Sequence, residues 1–191
     1  MFGRDSEKQL ARQLRRGEAT AMRDFYALYA SRLTAVCMRY LGHREEVKDV
    51  MQDSMISLIQ HIGDFDYRGK GSLLAWATKI VVSQCLLFLK TEARNDFVAL
   101  DTDIGEEAET TEEPPVDDIP PDVIEEFIQE LPTGYRTVFN LYVMEGKSHK
   151  EIASILNIRE DSSASQLHRA KSNLAQKIKA YRTKHKDNAH E

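Results

Sequence analysis

Between Ser148 and Lys171 the stretch SHKEIASILNIREDSSASQLHRAK gathers hydroxyls, an amide and cations at helical spacing. Ser163, Ser165, Gln166, His168, Arg169 and Lys171 lie together after a start signal at Asp161, Ser162 and Ser163, with only Leu167 and Leu174 clearly apolar. Hydroxyls and cations grip phosphates, and Gln or Arg can read base edges in a major groove. Such a helix needs a scaffold to present it. Ser148 reads as an N-cap with Glu151 as its capping-box partner, and Ile152, Ala153, Ile155 and Leu156 give the preceding helix an apolar face. Asn157, which tolerates left-handed backbone, ends that helix, and Ile158 plugs the corner. The pattern is a helix-turn-helix that binds DNA; an ordinary helical hairpin with a solvated outer face has the same spacing.

A second constellation is the glycine-rich GDFDYRGKG, Gly63 to Gly71, which reads as a flexible loop. Phe65, Tyr67, Arg68 and Lys70, with Trp76 and Lys79 just beyond, interleave aromatics and cations. Single-stranded nucleic acid is held this way, bases stacking on rings at roughly 1–3 kcal/mol each. Alternatively, Phe65 and Trp76 simply pack the loop onto a bundle. A third is VKDVMQDSM, where Asp49, Gln52 and Asp53 form one acidic stripe among Val50 and Met55. Such a stripe is a solvated face or a dock for a basic partner helix. Catalysis has little support. The pairs Glu45–Glu46 and Glu125–Glu126 are adjacent on helices and diverge; no HExxH, phosphate-binding glycine loop or nucleophile elbow occurs. His43, His61, His149 and His168 are scattered, and neither Cys37 nor Cys85 has neighbours at ligand spacing. The expectation is a binding protein, not an enzyme, with no metal and no cofactor.

The elements that must carry these residues are all helical. Ser6 caps a short helix that Gly17 ends. A long helix runs from about Ala19 to Leu41, with Phe25, Leu28, Tyr29, Leu33, Val36, Cys37 and Tyr40 as its stripe, and Gly42 closes it. The next spans about Glu45 to Ile62, its core side Val47, Val50, Met51, Met55, Leu58, Ile59 and Ile62. Ser72 caps a fourth through about Thr91. Pro121 opens a helix to Glu130, and Thr133 caps another that Gly146 ends. No stretch alternates at period two. The fold class is all-α: two small helical domains joined by a flexible acidic linker, the C-terminal one a helix-turn-helix. The boundaries are 1–93, 94–119 and 120–191.

The 191 residues are 41% hydrophobic and 30% charged, with a net charge of −5, which argues against a general nucleic-acid coat. The charge is blocked instead. Asn95 to Asp118 holds ten acids and no Lys or Arg; Ser162 to Lys186 holds cations and no acid. Opposed blocks point to interaction surfaces. Both cysteines fall in apolar helical patterns and read as buried free thiols, in keeping with a reducing compartment. The N-terminus has no apolar signal-peptide core. The apolar run from about Ile80 to Leu89, interrupted by Ser83 and Gln84, reads as too short to span a bilayer, so a cytoplasmic protein without membrane insertion is expected.

The order of these parts resembles the extracytoplasmic-function (ECF) sigma factors, the minimal bacterial transcription initiation factors, over nearly the whole chain. VKDVMQDSMISLIQHIGDFDYRGKGSLLAWATKIVVSQCLLFLK resembles their core-binding and promoter-melting segment, an acidic D-x-x-Q-[DE] stretch followed by a glycine loop and a Trp-bearing helix. LPTGYRTVFNLYVMEGKSHKEIASILNIREDSSASQLHRAK is similar to their closing domain, with its L-P-x-x-[YR]-R-x-V-F opening and K-E-I-A-x-x-L-x-I core. The resemblance implies that Asp49, Val50, Gln52, Asp53 and Met55 dock on the clamp helices of core RNA polymerase. It implies that Phe65, Tyr67, Arg68, Lys70, Trp76 and Lys79 hold the opened, single-stranded −10 element. Ser148, Lys150, Ser162, Ser163, Ser165, Gln166, His168, Arg169 and Lys171 would contact the duplex −35 element. The linker would thread toward the RNA exit path, and the patch from Tyr135 to Tyr142 would sit near the polymerase flap. An anti-sigma factor is a further candidate partner. Ala164 stands where the family often has Lys, and Asp161 where it often has Gly, which puts the −35 contacts in question. A stand-alone DNA-binding regulator and a helical scaffold are the competing readings.

Overall fold

Apolar residues recur every three or four positions through most of this chain, and each such run folds as an α-helix. The structure, a computed structural model, describes residues 4–42, 45–92, 115–116 and 118–187. Among these there are eight α-helices and no strand. The chain divides into two compact units, Met1–Leu89 and Lys90–Glu191. Most of the expected acidic linker lies outside the described residues.

In the first unit, α1 (Arg4–Arg15) packs on α2 (Ala19–Leu41), α2 on α3 (Val47–His61), and a 3-10 turn (Ile62–Asp64) leads through a loop to α4 (Ser72–Glu92). Phe25, Leu33, Cys37 and Tyr40 of α2, Val50, Met51 and Leu58 of α3, and Leu73, Ala77, Val81, Cys85 and Leu89 of α4 are buried. Each large apolar side chain so buried contributes roughly 1.5–3 kcal/mol. The two thiols meet between α2 and α4: the Cys85 thiol donates to Cys37 Sγ at 3.5 Å, and both are free and fully buried. That hydrogen bond, with burial, raises the Cys85 thiol well above its usual range.

Three expectations need correction here. Ser6 lies inside α1 rather than capping it, because the helix begins at Arg4. Ile59 is 56% exposed, on the outer side of α3. And α4, at 21 residues, is by length and composition long and apolar enough to cross a membrane. Its buried residues, from Leu73 to Leu89, instead make it a core helix of this unit.

The second unit contains α5 (Pro121–Gln129), α6 (Thr133–Phe139) continuing into a π-helical turn (Asn140–Met144), α7 (His149–Leu156) and the 28-residue α8 (Glu160–Asp187). Ile128, Leu131, Val138, Leu141, Ile152, Leu156, Leu167, Ala170 and Ile178 form its core. Pro132, not Thr133, occupies the N-cap of α6. Arg136, buried, donates to the carbonyls of Gln129 and Leu131, satisfying the open C-terminal end of α5. The last residues of the expected linker belong to this unit: Ile119 is buried, and Asp118 pairs with Arg182 at 2.6 Å.

Candidate nucleic-acid and partner interfaces

On α3 the residues at positions 49, 52, 53, 56 and 59 follow steps of three and four, and all are exposed. Asp49, Gln52 and Asp53 thus share a face with Ile56 and Ile59, 48% and 56% exposed. Neither carboxylate has an ion-pair or hydrogen-bond partner among the described residues. Met55 is half-buried beside them. Val50 is a correction: at 2% exposed it points into the unit, one step of four before Ser54, whose hydroxyl donates back to the Val50 carbonyl at 2.7 Å.

The loop after α3 is built around a buried ring. Phe65 is 3% exposed and lies 5.3 Å from Trp76, the ring planes tilted by 50°. Phe65 is therefore an anchor that fixes the loop, not a surface for a base; an apolar ring at the mouth of a bundle lowers free energy most by entering it. Trp76, half-buried, packs on Phe65 and lines an apolar cavity of about 110 Å³ with Leu14, Met22, Phe25, Leu58 and Ile62. Tyr67 is half-buried, and Arg68, Lys70 and Lys79 are exposed. Arg68 faces Asp66 at 3.7 Å with both side chains largely in solvent, a pair that holds little.

The loop's glycines supply geometry. Gly69 and Gly71 sit at φ of +121° and +88°, where a side chain would be strained. Ser72 Oγ donates to the Gly69 carbonyl at 2.6 Å and accepts from the Arg68 N–H, so it does not cap α4. That role passes to Glu7 of α1, whose carboxylate accepts from the N–H groups of Gly71 at 2.6 Å and Leu73 at 2.7 Å. Arg15, also on α1, donates to the carbonyls of Ile62, at 3.2 Å, and Phe65. Sequence reasoning passes over both residues, since nothing local to α1 shows what faces it.

In the second unit the capping box forms as expected. Ser148 Oγ accepts from the Glu151 N–H, and Glu151 accepts from the Ser148 N–H at 2.9 Å. The Ser148 hydroxyl also bonds to the Glu151 carboxylate, so it is engaged in the cap. The Ser148 backbone N–H first, then Lys147 and the Ser148 hydroxyl, hold the Glu151 carboxyl down at about 2. Asn157 is left-handed, at φ 57° and ψ 47°, and the Ile158 N–H closes on the Ala153 carbonyl.

The face of α8 differs from expectation. Asp161, Ala164, Ser165 and His168 are exposed at steps of three and four, with Arg169 and Lys171 half-buried. Ser162 (9% exposed), Ser163 (0%) and Gln166 (3%) point inward and are withdrawn as contacts to DNA in this conformation. Stepping back four from Leu167 and from Ala170 lands on Ser163 and Gln166. That signal is in the sequence, but a serine fits both a wet face and a tight helix crossing. Ser163 Oγ lies 3.0 Å from His149 Nδ1 on α7. Gln166 has no hydrogen-bond partner for either side-chain polar atom among the described residues. Asp161 and Ser162 also cannot be caps, because α8 starts at Glu160. Lys150 on α7 is exposed. Arg169 donates to the Tyr135 hydroxyl at 3.2 Å, and Lys177 pairs with Glu130, so part of the basic block serves the unit itself.

Residues 25–95 match the sigma-70 region 2 model, and residues 122–174 match that of sigma-70 region 4. The chain is 27% identical to the ECF RNA polymerase sigma factor SigW of Bacillus subtilis, covering 90% of this chain and 96% of that one. It is 24% identical to the RNA polymerase sigma-H factor of Pseudomonas aeruginosa, covering 90% and 93%. The chain belongs to the extracytoplasmic-function sigma factors. A co-crystal structure of the sigma factor RpoE with the anti-sigma factor NepR from Bartonella quintana aligns at TM-score 0.46 and 16% identity, over 82% of this chain and 96% of that chain. As a sigma factor the protein is a transcription initiation factor that directs RNA polymerase to promoters. The region 2 match carries the acidic stripe and the Phe65 loop; the region 4 match carries the helix-turn-helix.

Proposed function

We propose that the two units divide the work of initiation, with 1–93 and 120–191 as domains and 94–119 as the acidic linker, its last residues held by the second domain. The α3 stripe of Asp49, Gln52 and Asp53 docks core RNA polymerase, with Ile56, Ile59 and Met55 as the apolar part of that surface. Tyr67, Arg68, Lys70 and Lys79, with the open part of Trp76, hold the separated −10 strand and so promote strand opening. Lys150, Ser165, His168, Arg169 and Lys171 hold the −35 duplex, mostly through phosphates. Tyr142, Val143 and Met144, 39% to 47% exposed on the π-helical turn, face the polymerase flap. The sigma factor supplies binding free energy, performs no catalysis of its own, works in the cytoplasm, and offers the α3 face to an anti-sigma protein.

The observation that carries this reading is the α3 stripe: two exposed carboxylates with no partner among the described residues, beside two exposed isoleucines. Charged groups left unpaired next to exposed apolar area make a surface suited to a basic, partly apolar helix. The Asp49→Ala, Asp53→Ala double variant is expected to weaken core binding by about tenfold or more. Unchanged binding in a fluorescence titration with core enzyme would sink the assignment. On the DNA side, Gln166→Leu is expected to leave −35 affinity within about twofold, since the residue is buried. Removing Lys150 and His168 together lowers affinity and its salt slope, by about one for each phosphate no longer gripped.

A further inference from the structure

Within the first unit, α1 is the helix to which neither the sequence constellations nor the region 2 match assigns a task. The match begins at residue 25, and α1 ends at Arg15. Yet three of its side chains meet the loop between α3 and α4 along its whole course. Arg15 holds the carbonyls of Ile62 and Phe65 at the entrance. Lys8 Nζ lies 5.9 Å from the centre of the Tyr67 ring, midway. Glu7 takes the N–H groups of Gly71 and Leu73 at the exit.

The chemistry of each contact suits its place. The first N–H groups of a helix have no partner within it, and the helix dipole favours an anion there. Ser72, the residue placed to cap α4, is turned back onto Gly69. A carboxylate from another helix takes its place, with two charge-assisted hydrogen bonds. The guanidinium at the other end ties down the carbonyl of Phe65, the residue whose ring seats the loop against Trp76.

We propose that α1 is a positioning strap for the loop: Glu7 and Arg15 hold its two ends in the conformation that receives the opened −10 strand. Neither is a DNA contact in this assignment; they set where Tyr67, Arg68 and Lys70 stand before DNA arrives. The gain is preorganisation, because a loop already fixed loses less freedom when it captures a strand. The inference rests on the reading of this loop as the −10 reader.

The test uses the full-length sigma factor with core polymerase on a duplex promoter. Glu7→Ala, Glu7→Gln, Arg15→Ala and, as the loop control, the Arg68→Ala, Lys70→Ala double variant are compared. Amide hydrogen exchange at Gly71 and Leu73, core affinity, and the rate of strand opening by permanganate reactivity are measured. Glu7→Ala is expected to speed exchange at both amides and to slow opening by about tenfold, the weight of one charge-assisted hydrogen bond. Core affinity stays at the wild-type value, and Glu7→Gln, which keeps one acceptor oxygen, recovers part of the opening rate. Should Glu7→Ala not fold, Glu7→Gln and Arg15→Ala carry the same comparison.

Opening at the wild-type rate in the Glu7 and Arg15 variants, with a slowed loop control, overturns the strap and leaves the loop assignment standing. A loop control that opens DNA normally overturns the loop assignment itself. Loss of core affinity in parallel with opening overturns the strap too, since α1 would then hold the unit together rather than set the loop.

Discussion

Two connections in this sigma factor carry candidate DNA-facing residues, and they are held in opposite ways. The turn between α7 and α8 is secured by its own neighbours. Ser148 and Glu151, three residues apart, cap the start of α7; at the turn itself Asn157 supplies the left-handed step, and Ile158 bonds back five residues to Ala153. The connection between α3 and α4 is secured from afar. Its bonds to Arg15 span 47 and 50 residues, and its bonds to Glu7 span 64 and 66. The short turn is therefore specified by residues close in sequence, whereas the longer loop is held by contacts that exist only where α1 packs against it. Long-range contacts of this kind require loop closure first, and its entropy is not offset until the packing is in place.

The contrast can be broken most directly at Phe65. Phe65→Ala is expected to destabilise the first unit by about 3–5 kcal/mol, as for other buried rings. Trp76, the only tryptophan, reports that unfolding in urea. An unshifted transition would mean that Phe65 is an exposed loop ring after all. In the turn, Asn157→Val places a β-branched residue in the left-handed region and is expected to cost about 1–2 kcal/mol. That loss should be confined to the second unit, read by amide exchange in α7. Ser148→Ala should cost about 1 kcal/mol there by removing the cap. A comparable loss in the first unit from either change would blur the local-versus-distant distinction.

The smallest effect is one of pH. The Glu151 carboxyl titrates at about 2 instead of its ordinary 4.5, held down first by the Ser148 N–H. A depressed carboxylate adds stability that is fully present above the unfolded value and is lost as pH falls through the folded one. The cap of α7 therefore weakens between about pH 4.5 and 2, and Glu151→Gln removes that dependence. A carboxyl NMR titration with a midpoint near 4.5 would contradict the capping geometry.

Helix positions are largely legible. The spacing predicts α2 from Ala19 to Leu41, as observed, and α4 and α5 to within a residue or so. The capping box and Asn157 are legible because capping is chemistry between residues three or four apart. What misleads is polarity without size. Ser162, Ser163 and Gln166 look like a wet face by type, yet they lie inward on α8, where Ser163 meets His149 of the neighbouring helix. Phe65 looks like an exposed loop ring because its glycine-rich surroundings say loop; they do not say which way the ring turns. The two departures from the family pattern, Asp161 and Ala164, do lie on the outward stripe of α8, where Ala164 adds no cation and Asp161 adds a negative charge.

By itself the sequence determined the all-helical fold, the helix-turn-helix, the acidic stripe on α3 and the membership of the sigma factor family, since each is set by periodicity or by motifs a few residues long. Tertiary structure alone decided which polar residues of α8 reach solvent, that Phe65 is buried, and that α1 grips the loop at both ends. The grip of α1 depends on surfaces that meet across 47 to 66 residues of chain, and the inward turn of Ser163 on a neighbouring helix 14 residues away; the type of one side chain does not say which surface it will meet.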